Sequence, residues 1–148
     1  MQWLEDDFED SCDFSLIGVS SHLPPHRICW QLNQALHWHL EFNHILKITQ
    51  RTGDSSHVVY RYAAPTSEGE VLYFMVENKI QGGAVAKYKG AEVMDYLIQV
   101  YDDSEGIKEL ISKVRSVPGV NYVQELDPVN SGAMEHLALI DLAESEAN

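Results

Sequence analysis

The residues of this chain whose types could carry chemistry are seven histidines, two cysteines and an Asp-Tyr pair. His22 and His26 fall in "HLPPH", and His37, His39 and His44 in "HWHLEFNH". Imidazole is the commonest ligand for zinc or copper, and His-x-His on an extended segment points both rings the same way. His37, His39 and His44 are therefore the candidate metal ligands. Against that, a metal needs three or four converging ligands, and no carboxylate or thiolate joins these histidines at helical or hairpin spacing. The expectation is no bound metal. His37 and His39 then meet the dipole at a helix end, and His44 is a hydrogen-bonded core histidine on the apolar face of its strand.

Nucleophilic chemistry has equally little to build on. There is no Gly-x-Ser-x-Gly, and although His26 and Cys29 lie one helical turn apart, Cys29 sits in an apolar helical pattern that predicts burial. "QGGAVAK" (residues 81–87) lacks the spacing of a phosphate loop and a following helix. Asp95 and Tyr96, in "YKGAEVMDYLIQVYDD" (residues 88–103), could pair an acid with a phenol, but no nucleophile or second partner stands beside them. The structural expectation is that the Asp95 carboxylate accepts backbone N–H bonds from the preceding loop, while Tyr96 packs its ring with the hydroxyl at the rim. No catalytic residue and no cofactor is expected.

The elements that position these residues follow from the pattern along 148 residues, the size of one domain. An acidic lead-in (1–13) precedes a single α+β domain over 14–142, whose halves 14–78 and 94–142 are joined by a loose connection over 79–93, and an acidic tail (143–148) follows. "FSLIGVSS" (14–21) and "MDYLIQVYD" (94–102) are apolar on both faces and predict central strands. Pro24 and Pro25 open a helix with Ile28, Leu32, Ala35 and Leu36 on one face. "FNHILKIT" alternates with Phe42, His44, Leu46 and Ile48 on one side, and "HVVYRYA" and "VLYFMVEN" complete a three-strand meander. Asp102 or Asp103 can cap a second helix with Ile107, Leu110, Ile111, Val114 and Val117 as its buried stripe, stopped by Pro118-Gly119. "VNYVQEL" and "HLALIDL" finish the sheet. The reading is a largely antiparallel sheet of about seven strands with two helices on one face, built from ferredoxin-like strand–helix–strand units.

Across this order of elements the chain resembles the bacterial IPExxxVDY family. "FSLIGVSSHLPPHRICWQLNQAL" (14–36) is similar to that family's opening strand and helix, and "YLIQVYDDSEGIKELISKVRSVPGVNYVQELD" to its C-terminal half. The naming motif falls on "YKGAEVMDY", where the final Asp-Tyr matches, Met94 replaces Val and "YKG" replaces "IPE". The resemblance implies a compact bacterial domain and brings no activity, cofactor or catalytic residue with it. The passage from the second helix through "VPGV" is also similar to ferredoxin-like modules, including ligand-sensing domains of ACT type.

Composition narrows the function classes. Acids outnumber bases 23 to 10, a formal charge of −13, and the basic residues are scattered. Such a surface disfavours nucleic acid and anionic lipid. No apolar run reaches the roughly 20 residues that span a bilayer, and the N-terminus has no basic and apolar signal regions, so a soluble cytoplasmic protein is expected. Tyr60, Tyr62 and Phe74 fall in phase with one sheet face and Tyr73 with the other. With helices on one face, the opposite face would expose Tyr73, Met75, Val59 and Arg61 as a homodimer surface. The expected function is a non-enzymatic interaction or self-association domain. The alternative is an ACT-like sensor holding a small ligand near the loops Ser20–Pro25 and Asp102–Gly106.

Overall fold

The computed structural model describes residues 14–50, 53–67, 69–80, 83–101, 106–133 and 137. They form β1 (Ser15–Ser21), α1 (Pro25–Leu36), β2 (Glu41–Gln50), β3 (Gly53–Thr66), β4 (Gly69–Glu77), β5 (Tyr96–Tyr101), α2 (Ile107–Arg115) and β6 (Val120–Leu126). The six strands make one sheet in the order β2-β3-β4-β5-β1-β6, antiparallel throughout. β5 and β6 both run against β1 and lie on either side of it, so β5–α2–β6 is a strand–helix–strand unit straddling β1. The expected seventh strand, 136–142, lies outside the described residues except for Leu137. That residue is helical, its N–H donating to the Ala133 carbonyl.

Both helices pack on one face. Ile28, Cys29 and Leu32 of α1 and Ile107 and Val114 of α2 meet Ile17, Val19, Met75, Ile98 and Val100 of the sheet. Each such side chain contributes roughly 1.5–3 kcal/mol on burial. Ala35, expected on the buried stripe, is exposed, because the helix turns its Cys29 side to the sheet instead. α2 is preceded by Gly106, so an Asp102 or Asp103 cap does not occupy the N-cap position, and both aspartates lie outside the described residues. No described helix is long and apolar enough to cross a membrane.

The other face is not open. Leu16, Leu46, Ile48, Val59, Phe74, Val76 and Leu97 are covered by Val85, Ala86 and Ala91 of the 79–93 connection and by Ala133 and Leu137. The connection is fixed by one buried side chain. Asn78 Nδ2 donates to the carbonyls of Ala91 and Met94, each at 2.8 Å, and its Oδ1 accepts the Ala86 N–H at 2.8 Å. A segment that reads as loose in sequence is thus the second layer of the core.

Candidate functional site

At the end of β1 several polar groups close on one another. Asp95 Oδ2 accepts the Ser21 N–H at 2.9 Å and the Ser20 hydroxyl at 3.3 Å, while the Asp95 N–H donates to the Val19 carbonyl. The donors come from the end of β1 and not from the preceding loop, because the antiparallel register places the start of β5 beside the exit of β1. The buried Tyr96 hydroxyl donates to the Leu23 carbonyl at 2.5 Å, and burial pushes this phenol far above its ordinary range. Ser21 Oγ donates to the Gly119 carbonyl at 2.6 Å. "VMDY" is therefore the latch by which the chain re-enters its sheet.

The histidines singled out by spacing are dispersed. His37 is the exposed residue after α1, in the left-handed region at φ 58°. His39 is exposed and edge-on to Tyr62 at 5.8 Å. His44 Nδ1 lies 2.6 Å from Asn43 Oδ1, on the strand that also carries Phe42. The register of β2 against β3 shifts between Phe42 and His44, so Phe42 faces the helix side and His44, Leu46 and Ile48 the other. Among the described residues no three His, Cys, Asp or Glu side chains converge as a metal group.

A histidine that spacing did not single out is the enclosed one. His57 is fully buried, its Nδ1 2.8 Å from the Glu77 carbonyl and its Nε2 2.7 Å from the buried Ser55 hydroxyl. A carbonyl only accepts, so Nδ1 carries the proton and Ser55 donates to Nε2. Burial lowers the imidazole pKa. The signal was the alternation Ser55-x-His57-x-Val59, three inward positions in a row. Cys29 is likewise enclosed: burial pushes its thiol up to about 11, away from the thiolate that a nucleophile needs.

The expected dimer surface is divided between two covered faces. Cross-strand partners pair Tyr60 with Met75 and Tyr62 with Tyr73, and Val59 with Val76 and Arg61 with Phe74. Tyr73 and Met75 thus lie under the helices with Tyr60 and Tyr62, and Val59 and Arg61 on the opposite side with Phe74. Tyr73 packs tilted against Trp38 at 4.2 Å and stacks on Tyr62 at 5.9 Å, while Met75 and Val59 are buried. What remains exposed is further out. The helices sit over the inner strands, and at the edge strand β2 Phe42 is 60% and Ile45 40% exposed on the helix side, with Tyr60 and Val58 partly exposed next to them on β3.

One groove opens between the C-terminal end of α1 and one side of α2, along its whole length. Its volume is about 430 Å³, with Tyr73, Val100 and Ser15 below, Ala35, Leu36, His37 and Trp38 on one wall, and Gly106, Ile107, Glu109, Leu110, Lys113 and Ser116 on the other. The strand ends from which the two expected ligand loops leave are not neighbours. Ser15 pairs with Val100 and Val19 with Tyr96, so the exit of β1 at Ser20–Pro25 and the end of β5 at Tyr101 lie at opposite ends of the sheet. Of the second loop, 102–105 lie outside the described residues. No family model and no curated protein matches this chain.

Proposed function

We propose that this chain is a non-catalytic interaction domain that pairs with a second copy of itself along β2. The observation that carries the reading is the exposure of Phe42 and Ile45 on a ten-residue strand that has, among the described residues, a sheet neighbour on one side only. An unpaired strand edge is a template for another strand, and apolar side chains beside it add burial to the backbone hydrogen bonds. A two-fold axis through the middle of β2 brings Ile45 of both copies together and sets each Phe42 at the flank, an isologous contact that closes at two chains. β6, the other edge strand, is less open: Arg115 Nη2 reaches its Val123 carbonyl at 3.4 Å.

Sedimentation velocity tests this. Ile45→Lys, at an exposed position, is expected to shift the population to monomer without lowering the melting temperature. A monomer at every concentration in the unsubstituted chain, or a dimer untouched by Ile45→Lys, would overturn it. Each copy carries −13, so the pairing is expected to tighten with added salt, which screens repulsion over about 10 Å at 0.1 M.

We further read β6-β1-β5-β4 with α1 and α2 as a ferredoxin-like unit, with β2 and β3 inserted after α1. The support is that β1 and β4, like β5 and β6, run parallel with one strand between them. The resemblance to the IPExxxVDY family belongs to this same reading, and so does a bacterial cytoplasmic setting without nucleic-acid partners, supported by the net charge and by Cys29 remaining a free thiol.

A further inference from the structure

We infer, resting on the β2 pairing proposed above, that the two copies hold together at neutral pH and are released by acid, and that His44 is the switch. With Ile45 opposite Ile45 on the two-fold axis, antiparallel pairing sets His44 opposite Leu46 of the second copy. His44 of the second copy is then its diagonal neighbour, about 7 Å away on the same face of the joined sheet.

His44 is only partly buried, at the edge of the sheet and not in the core, so a second copy changes its surroundings. Its Nδ1 lies 2.6 Å from Asn43 Oδ1. An amide oxygen only accepts, so Nδ1 already carries a proton and acid adds the second at Nε2. The charged and titratable groups on this face are few. Glu41 of β2 lies across from Arg61 of β3, and the two carry opposite signs. Arg61 and His57 flank Val59, the residue across from His44, and His57 is enclosed and neutral. The segment that covers this face brings Val85, Ala86 and Ala91, and β2 itself adds Leu46 and Ile48. The second copy brings its own His44, Leu46 and Ile48, while its Lys47 is on the helix side. Pairing thus surrounds each imidazole with apolar side chains and one like group.

Neutral rings fit that setting. Two imidazolium charges at this distance repel, and each loses water to the apolar surface of the other copy. The paired form therefore resists the proton that the separate chains take up. Pairing is complete above the histidine range and is lost as the pH falls through it, between about pH 7 and pH 5. Carboxylates act in the other direction. As acid neutralises them the charge of −13 shrinks and the copies repel each other less, so a weakening on acidification does not come from them.

Sedimentation velocity of the full chain at pH 7.5 and pH 5.5, at equal ionic strength, tests the assignment, with His44→Gln and His44→Lys beside it. The dissociation constant of the unsubstituted pair is expected to rise at least about tenfold at pH 5.5, the scale of two like charges at this separation near a protein surface. His44→Gln is expected to pair at both pH values and no more weakly at the lower one. His44→Lys, charged throughout, is expected to pair weakly at both. All three chains keep His57, so acid unfolding would strike them alike, and circular dichroism at pH 5.5 reads folding directly. Equal pairing of the unsubstituted chain at both pH values would overturn the inference and leave the β2 pairing standing. So would an acid loss in His44→Gln as large as in the unsubstituted chain, or full-strength pairing of His44→Lys at pH 7.5. A monomer at every concentration at pH 7.5 would overturn the pairing itself, and the switch with it.

Discussion

His57 shows what enclosure does to a titratable side chain. It is neutral in the fold, hydrogen-bonded at both ring nitrogens, and its pKa is lowered by burial from the ordinary value of 6.5. The Glu77 carbonyl and the nearby Glu77 charge pull in the opposite direction without reversing the shift. The unfolded chain therefore takes up a proton that the folded chain refuses. Stability is complete above about pH 6.5 and falls as the pH drops through that value toward the folded pKa. Denaturant titrations at pH 7 and at pH 5 are expected to give a smaller loss on acidification for His57→Gln than for the unsubstituted chain; an identical loss would exclude His57 as the source. Gln99 is the opposite case, a buried side chain that is not fully satisfied. Its Nε2 donates to the Tyr101 hydroxyl at 2.8 Å, but its Oε1 has no hydrogen-bond partner among the described residues. An unmet buried acceptor costs about 1–3 kcal/mol. Gln99→Leu is expected to raise unfolding free energy by about 1 kcal/mol, and a loss of stability would show that the Tyr101 contact outweighs the orphaned oxygen.

The helices and their stops were the most legible elements. The α2 stripe Ile107, Leu110, Ile111, Val114 and Val117 lies in the core as its spacing predicts, since helical period and burial are both local properties. Its stop is equally local. The Val120 N–H donates to the Val117 carbonyl at 3.1 Å across Pro118 and Gly119, and Gly119 has φ 92°, the geometry of a type II turn. A Cβ on Gly119 would also run into Leu23. Gly119→Ala is expected to destabilise the domain by about 1–3 kcal/mol in denaturant unfolding, and an unchanged midpoint would refute the turn assignment. Strand faces were less legible. The alternation of "FNHILKIT" put Phe42 on the side of Leu46 and Ile48, and the register shift after Phe42 moved it to the other face. One extra residue in a strand reverses every later side chain, and nothing in the hydrophobic pattern marks where it falls. Tyr73 was placed opposite Tyr62, which it in fact faces across β3 and β4, for a different reason: each strand alternates regularly, but the phase of one against the other is set by their pairing register.

At the scale of the whole molecule, the charge of −13, the apolar content sufficient for a core, the α2 stripe, the β1 and β5 strands buried on both faces and the burial of Cys29 followed from the sequence by itself. They did so because composition and periodicity act over a few residues at a time. Only the tertiary structure decided which strands are neighbours, and with it every site. Pairing β1 with β5 in antiparallel register set Asp95 against Ser20 and Ser21, and carried the ends of β1 and β5, where the two loops expected to hold a ligand begin, to opposite ends of the sheet. Folding the 79–93 connection across the second face, anchored by Asn78, covered the surface expected to be open and left β2 as the exposed apolar edge. The groove, too, exists only because residues about 70 positions apart in the chain, such as Leu36 and Leu110, come to rest side by side on the sheet. Contacts between residues far apart in sequence depend on register and topology, and no local pattern of residue types encodes them.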